Sequence, residues 1–239
     1  MRRVEHVMGF PVSLRIDDEG DFSAAADAVF AWLREADARF SPFVPASEVS
    51  RYGRGELADG EVSVDLTEVL GLCEEYRVAT GGAFDVRLPG RGFDPCAVVK
   101  GWSAQRAAGL LTAAGARRFC LNAGGDVVVS GGPWRVGVRH PEAAGQVCAV
   151  LEVTDAAMAT SGRYERGDHI LDGRTGRPAT GLLSLTVLAP TLTEADATAT
   201  AAFALGADGP AWAAARPGCE VFAVDADRNV VRTPGFATT

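Results

Sequence analysis

Along residues 21–40, "DFSAAADAVFAWLREADARF", the apolar positions Val29, Phe30, Leu33 and Ala36 recur at three- and four-residue spacing. That period predicts an amphipathic helix with one buried stripe, and Ser23 stands where a capping hydroxyl belongs. Just ahead of it, "VSLRI" alternates in the manner of a strand. A second helix is expected over residues 65–79, stopped by Gly81 and Gly82. A third is expected over about 102–114, opened by Ser103 and closed by Gly115. The pattern then shortens: "RFCLN", "DVVVSG", "WRVGVRH" and "VCAVLEV" are β-rich runs with Gly, Pro and Asn between them, which predicts consecutive strands. "LLSLTVLAP" adds another, followed by a helix over about 194–205 with Thr193 as cap and Gly206 as stop. A short Ala-rich helix and a hairpin within "EVFAVDADRNVVRT" complete the series. Helices and strands mix without strict alternation, so the expected class is α+β, or mixed α/β. One domain over 1–239 is expected, with a largely antiparallel sheet and flanking helices.

Composition changes this picture in three respects. With 47% apolar residues in a 239-residue chain, a sizeable core is available. The net charge of −8 argues against a broad nucleic-acid footprint, so an anionic ligand has to be met locally, by a metal, a helix N-terminus or a few placed cations. The cysteines Cys73, Cys96, Cys120, Cys148 and Cys219 lie far apart without a CxxC pair, which fits reduced, mostly buried thiols. No stretch has the roughly 18 apolar residues of a membrane span. The opening "MRRVEHVMGFPVSLRI" meets Glu5, His6, Gly9 and Pro11 too early for a signal peptide. A cytoplasmic protein is the expectation.

Three places could carry chemistry. Asp196 and Thr200 are four apart on a predicted helix and so share a face; a carboxylate and a hydroxyl are hard oxygen ligands of the kind magnesium accepts. The alternative is a first-turn acid favoured by the helix dipole beside a buried threonine. Asp94 and Lys100, in "GFDPCAVVKGWSAQ", flank an apolar step just before a helix; the lysine can meet a phosphate or simply solvate the helix start. "LNAGGDVVVSGG" has adjacent glycines but is no GxGxxG motif between strand and helix. His169 sits in "ATSGRYERGDHILDGRTGRP", on a short strand expected between two ordered loops, as a general base or as a surface residue. His140, before Pro141 at a strand end, and His6 have weaker surroundings.

Taken in order, "MGFPVSL", "RFSPFVPASEVSRY", "TGGAFDV", "FDPCAVVKGWSAQRAAGLLTAAGARRFCLNAGGDVVVSG", "VGVRHP", "MATSGRYERGDHILDGRTGRP" and "LTVLAPTLTEADATATAAFALG" resemble the ApbE family of FAD:protein FMN transferases. The resemblance implies that FAD is bound as substrate with Mg²⁺ on its pyrophosphate. It further implies that FMN passes to a threonine or serine of an acceptor protein carrying an FMN-binding domain, with release of AMP. By the same resemblance Asp196 and Thr200 match magnesium ligands, and Ala97 matches a position giving a backbone carbonyl to the same ion. Asp94 and Lys100 match FAD contacts, Met8 a flavin-site methionine, Ala83, Phe84 and Asp85 an AFD segment, and Leu171 an apolar flavin-lining position. His169 matches the histidine that takes the proton from the acceptor hydroxyl. Phe43 stands where tyrosine is frequent, Cys96 where glycine is usual, Gln105 where aspartate is frequent, and Gly173 within a variant of the family's DPRTG. The stretch between "GAFDV" and "GFDPC" is shorter than in typical members, and the lipoprotein signal of many relatives is not expected here. An FAD pyrophosphatase and a non-catalytic flavin-binding protein are the alternative expectations.

Overall fold

The computed structural model describes residues 1–88, 92–167 and 169–238. Strands β1 (Arg2–Val7) and β2 (Phe10–Ile16) pair through the two-residue turn Met8-Gly9, in which φ is 58° and 81°. Positive φ at both central residues matches the right-handed twist of the flanking strands, at some cost in strain for the methionine. Helix α1 (Ser23–Phe40) buries Ala26, Val29, Phe30, Leu33, Ala36 and Phe40, the stripe its periodicity predicts. Helices α2 (Glu48–Gly53) and α3 (Val64–Ala79) follow, capped by the side chains of Ser47 and Ser63. A small hairpin, β3 (Arg87–Leu88) with β4 (Gly92–Phe93), leads into α4 (Cys96–Ala113). The shortened stretch expected after "GAFDV" includes residues 89–91, which lie outside the described residues.

The second half of the chain supplies β5 (Phe119–Ala123), β6 (Asp126–Ser130), β7 (Trp134–Arg139), β8 (Val147–Val153) and β9 (Ala157–Gly162). Then come a short helix α5 (Arg163–Arg166), the small hairpin β10 (Leu171–Asp172) with β11 (Arg177–Pro178), and β12 (Leu182–Ala189). Helices α6 (Leu192–Leu205) and α7 (Gly209–Ala214) and strands β13 (Glu220–Asp225) and β14 (Val230–Arg232) complete it. Eight strands form one antiparallel sheet in the order β1-β2-β5-β6-β9-β12-β13-β14. The α+β class with a largely antiparallel sheet is what the chain adopts.

Each face of this sheet has its own cover. On one face Val12, Leu14, Leu121, Leu185 and Val187 pack against Val29, Phe30 and Leu33 of α1, Leu111 of α4 and Phe203 of α6. On the other, the β7–β8 hairpin lays Trp134, Val136, Val138 and Leu151 over Val127, Val129, Met158 and Phe222. The consecutive valines of "DVVVS" are explained by this arrangement: Val128 faces the helices, whereas Val127 and Val129 face the hairpin. A further cluster lies between the helices, where Trp102 of α4 meets the rings of Phe40 and Trp32 at 5.2 and 5.6 Å.

Element starts differ from the sequence expectation at instructive places. The residue before α1 is Phe22, and Ser23 is already helical without a capping bond. Helix α6 begins two residues earlier than expected, because Thr191, not Thr193, is extended and accepts the Glu194 N–H at 3.2 Å. Helix α4 begins at Cys96, six residues earlier than expected, so Ala97 and Lys100 lie within its first turns and Ser103 is interior and buried. Valines and a glycine depress helix propensity in that segment, but burial of Val98, Val99, Gly101 and Trp102 overrides it. Arg2–Val7, without a predicted element, forms the edge strand β1.

Candidate active site

Small residues fix the centre of the molecule. Helix α6, "LTEADATATAAFAL", is buried nearly all round, and its alanines let α4, β9 and β12 approach closely. A β carbon on Gly101 of α4 would stand 2.5 Å from the Leu192 carbonyl oxygen and 2.6 Å from Asp196 Cβ, so only glycine permits this crossing. The Gly101 N–H donates to Asp196 Oδ2 at 2.8 Å. The carboxylate of α6 is thereby brought beside the first turn of α4.

Asp196 is almost fully buried. Burial pushes its carboxyl up to about 7; the Lys100 ammonium pulls the other way, and the Asp126 carboxylate adds to the upward push. Lys100 Nζ lies 3.4 Å from Asp196 Oδ1 and 2.5 Å from Asp126 Oδ2. One turn along α6 from Asp196, the Thr200 hydroxyl meets the Ser161 hydroxyl of β9 at 3.1 Å. Lys100, Asp196, Thr200 and Ser161 open onto a cavity of about 660 Å³.

The rest of the cavity wall comes from loops that the fold holds in place. The strained turn presents Met8, whose N–H donates to Asp37 Oδ2 at 3.2 Å and whose sulfur receives the Ser103 hydroxyl at 3.6 Å. After α3, Gly81 and Gly82 both adopt positive φ, and the Thr80 hydroxyl accepts the Phe84 N–H at 3.0 Å, which sets Phe84 and Asp85 along the wall. Asp94 accepts the Cys96 N–H at 2.9 Å, placing an acid at the start of α4 as the helix dipole favours. Ala83 does not line the cavity; it is buried, and its carbonyl accepts the Gly173 N–H at 2.8 Å, tying the loop after β10 to this turn. Met8, Phe43, Phe84, Asp85, Asp94, Ala97, Lys100, His169, Leu171, Asp196 and Thr200 all line the one cavity, with Phe43 87% exposed.

His169 is not on a strand, contrary to expectation: it follows α5 in irregular chain and precedes β10. Its Nδ1 lies 3.1 Å from the Gly167 carbonyl oxygen, and its own N–H donates to the same oxygen at 2.9 Å. A carbonyl only accepts, so Nδ1 donates in this contact, and in the neutral ring Nε2 is then the acceptor. Downstream, Asp172 is held by Arg174 at 2.9 Å, which keeps that carboxyl below its ordinary range.

The donor set suits a hard dication such as magnesium. A buried carboxylate, a hydroxyl one turn away and the Ala97 carbonyl are hard oxygens, and the upward-shifted Asp196 carboxyl is the group that a dication would return to its charged form. Among the described residues no group of three or more His, Cys, Asp or Glu side chains gathers into a cage. The set therefore fits an ion that takes its remaining ligands from a phosphate or from water. Sequence spacing did not expose Asp126, Gly101 or Ser161. The faint signals were an acid opening a valine-rich strand and a glycine inside a helix.

The sequence profile of the ApbE family matches residues 8–91 and 87–223. The FAD:protein FMN transferase of Rhodobacter capsulatus is 38% identical over 168 residues, covering 65% of this chain and 32% of that protein. The one from Treponema pallidum is 36% identical over 154 residues, covering 54% and 42%. The matched segments thus span less than half the length of these relatives. In fold the chain resembles the flavin transferase ApbE of Vibrio cholerae (TM-score 0.86, 22% identity, 99% of this chain and 97% of that one). The ApbE protein of Thermotoga maritima is alike (TM-score 0.87, 23% identity, 99% and 97%). With a family match over most of its length, the chain belongs to the ApbE family.

Proposed function

We propose that this chain is a magnesium-dependent FAD:protein FMN transferase that moves FMN from FAD onto a threonine or serine hydroxyl of an acceptor flavoprotein and releases AMP. The observation that carries this is the single cavity in which an acid and hydroxyl pair, a lysine, an apolar wall and a histidine on irregular chain converge. The family relatives named as FAD:protein FMN transferases support the same reading.

The isoalloxazine ring would lie against the apolar wall of Met8, Phe84 and Leu171, with the Phe43 ring at the mouth. Asp196, Thr200 and the Ala97 carbonyl would hold the ion, which supplies charge neutralisation of the pyrophosphate when bound. Lys100 meets the same phosphates as a point charge. His169 Nε2 accepts the proton of the acceptor hydroxyl as its oxygen bonds to the FMN phosphorus. The P–O bond to AMP breaks, and AMP leaves with the electron pair. Little more is asked of the protein, since phosphoryl transfer depends on positioning and electrostatics.

The test compares wild type with His169→Ala for FAD binding and for AMP release beside a threonine-bearing FMN-binding domain. The expected result is unchanged FAD affinity with transfer reduced by about 10²–10⁴-fold, the range of a general base. Full transfer by the variant would overturn the base, and equal AMP release with and without acceptor would make the protein a pyrophosphatase.

A further inference from the structure

Asp126 opens β6 directly after the Gly124-Gly125 turn and is 2% exposed. A buried carboxylate needs a partner, and this one has two. Its Oδ1 accepts the Thr160 N–H of β9 at 3.1 Å. Its Oδ2 meets Lys100 Nζ at 2.5 Å as an ion pair, without the angles of a directed hydrogen bond. The same ammonium is 3.4 Å from Asp196 Oδ1. One cation thus stands between two buried acids, nearer the acid that the proposed chemistry does not use.

We infer that Asp126 is a positioning residue, which draws the Lys100 ammonium toward itself and keeps it at 3.4 Å from Asp196 rather than in close contact, so that Asp196 stays open to a divalent cation. This rests on the metal-site reading of Asp196 above. The physical reason is competition: ammonium and dication are drawn to the same carboxylate, and coulombic attraction falls with distance. Held more closely by Asp126 than by Asp196, Lys100 stays beside the ion, ready for an anionic phosphate, in a longer ion pair with the ion's ligand. With the Asp126 charge removed, Asp196 becomes the nearest buried carboxylate to the ammonium, and the lysine occupies the place of the metal. Asparagine keeps an oxygen for the Thr160 N–H, so Asp126→Asn separates this role from the tie between β6 and β9.

Mn²⁺ is the probe, titrated by electron paramagnetic resonance with and without FAD. Wild type, Asp126→Asn, Lys100→Met and the double variant are compared. The expected result is an about tenfold weaker Mn²⁺ affinity for Asp126→Asn, the size of effect seen for groups that orient metal ligands. In the Lys100→Met background the same change should cost less than about threefold, because the competitor is gone. Wild-type Mn²⁺ affinity in a folded Asp126→Asn variant, or equal losses in both backgrounds, would overturn the inference. If the coupling is found but no flavin is transferred, the transferase assignment falls and the positioning role stands. Lack of saturable Mn²⁺ binding by wild type would overturn both.

Discussion

Gly101→Ala puts a methyl group where the Leu192 carbonyl oxygen and Asp196 Cβ already stand, at 2.5 and 2.6 Å. Overpacking of this kind costs about 1–3 kcal/mol, and here it also pushes α4 off α6, where the candidate metal ligands meet. The expected outcome is a lower melting temperature together with a higher magnesium requirement for FAD binding; a variant unchanged in both would contradict the close crossing. Asp196 itself has a pH signature. Its carboxyl is raised from 3.8 to about 7, so across that window the folded chain keeps a proton that the unfolded chain has lost. Stability from this group therefore falls as pH rises from 3.8 to about 7, and Asp196→Asn should lack that slope in denaturation measured without metal. On the proposed function magnesium competes with the same proton, so the magnesium needed to support FAD binding should rise below about pH 7, approaching tenfold per pH unit. Asp196, Thr200, Lys100 and His169, singled out in the sequence by residue type and by the motifs around them, line one cavity in the structure, and their roles there rest on the proposed function. Asp126 and Gly101 were not legible in the sequence, since each acquires its meaning from a residue on a distant element.

At the scale of elements, helix periodicity carried well where one face is buried, as in α1, and poorly where burial is all round. Helix α4 is the case in point: its first turns read as an apolar step because Val98, Val99 and Gly101 are poor helix formers, yet packing makes them helical. Trp102 anchors that packing, with its ring against Phe40 and Trp32 and its Nε1 donating to Glu68 at 2.9 Å. Trp102→Ala should cost about 3–5 kcal/mol in chemical denaturation, as large-to-small changes in a core do; a loss under 1 kcal/mol would contradict its anchoring role. Helix starts were shifted at α6 because Thr191 and Thr193 both offer a hydroxyl, and only the extended backbone of Thr191 makes it the cap. The chain around His169 misled in the other direction: its apolar neighbours Ile170 and Leu171 suggested a strand, but only Leu171–Asp172 pairs, with Arg177–Pro178.

Over the whole molecule, the α+β class and antiparallel sheet were legible from runs of short strands, whereas the strand order was not. Nothing in local spacing says that β2 pairs with β5, or that the β7–β8 hairpin leaves the sheet to cover its far face. The global burial pattern also sorts the thiols. Burial raises Cys73 to about 12 and Cys120 and Cys219 to about 11, and only thiolates react quickly. At pH 8 a native sample should react with a thiol reagent at the exposed Cys148 while the buried Cys73 and Cys219 stay unmodified, and denaturant should release all five. Fast native labelling at Cys73 would contradict the packing. The most direct test of the central claim is the intact mass of an FMN-binding acceptor domain after incubation with this protein, FAD and Mg²⁺. The account predicts an acceptor heavier by one FMN, AMP in equal amount and neither product with EDTA; an unlabelled acceptor beside AMP, or no product from a chain that binds FAD, would contradict it.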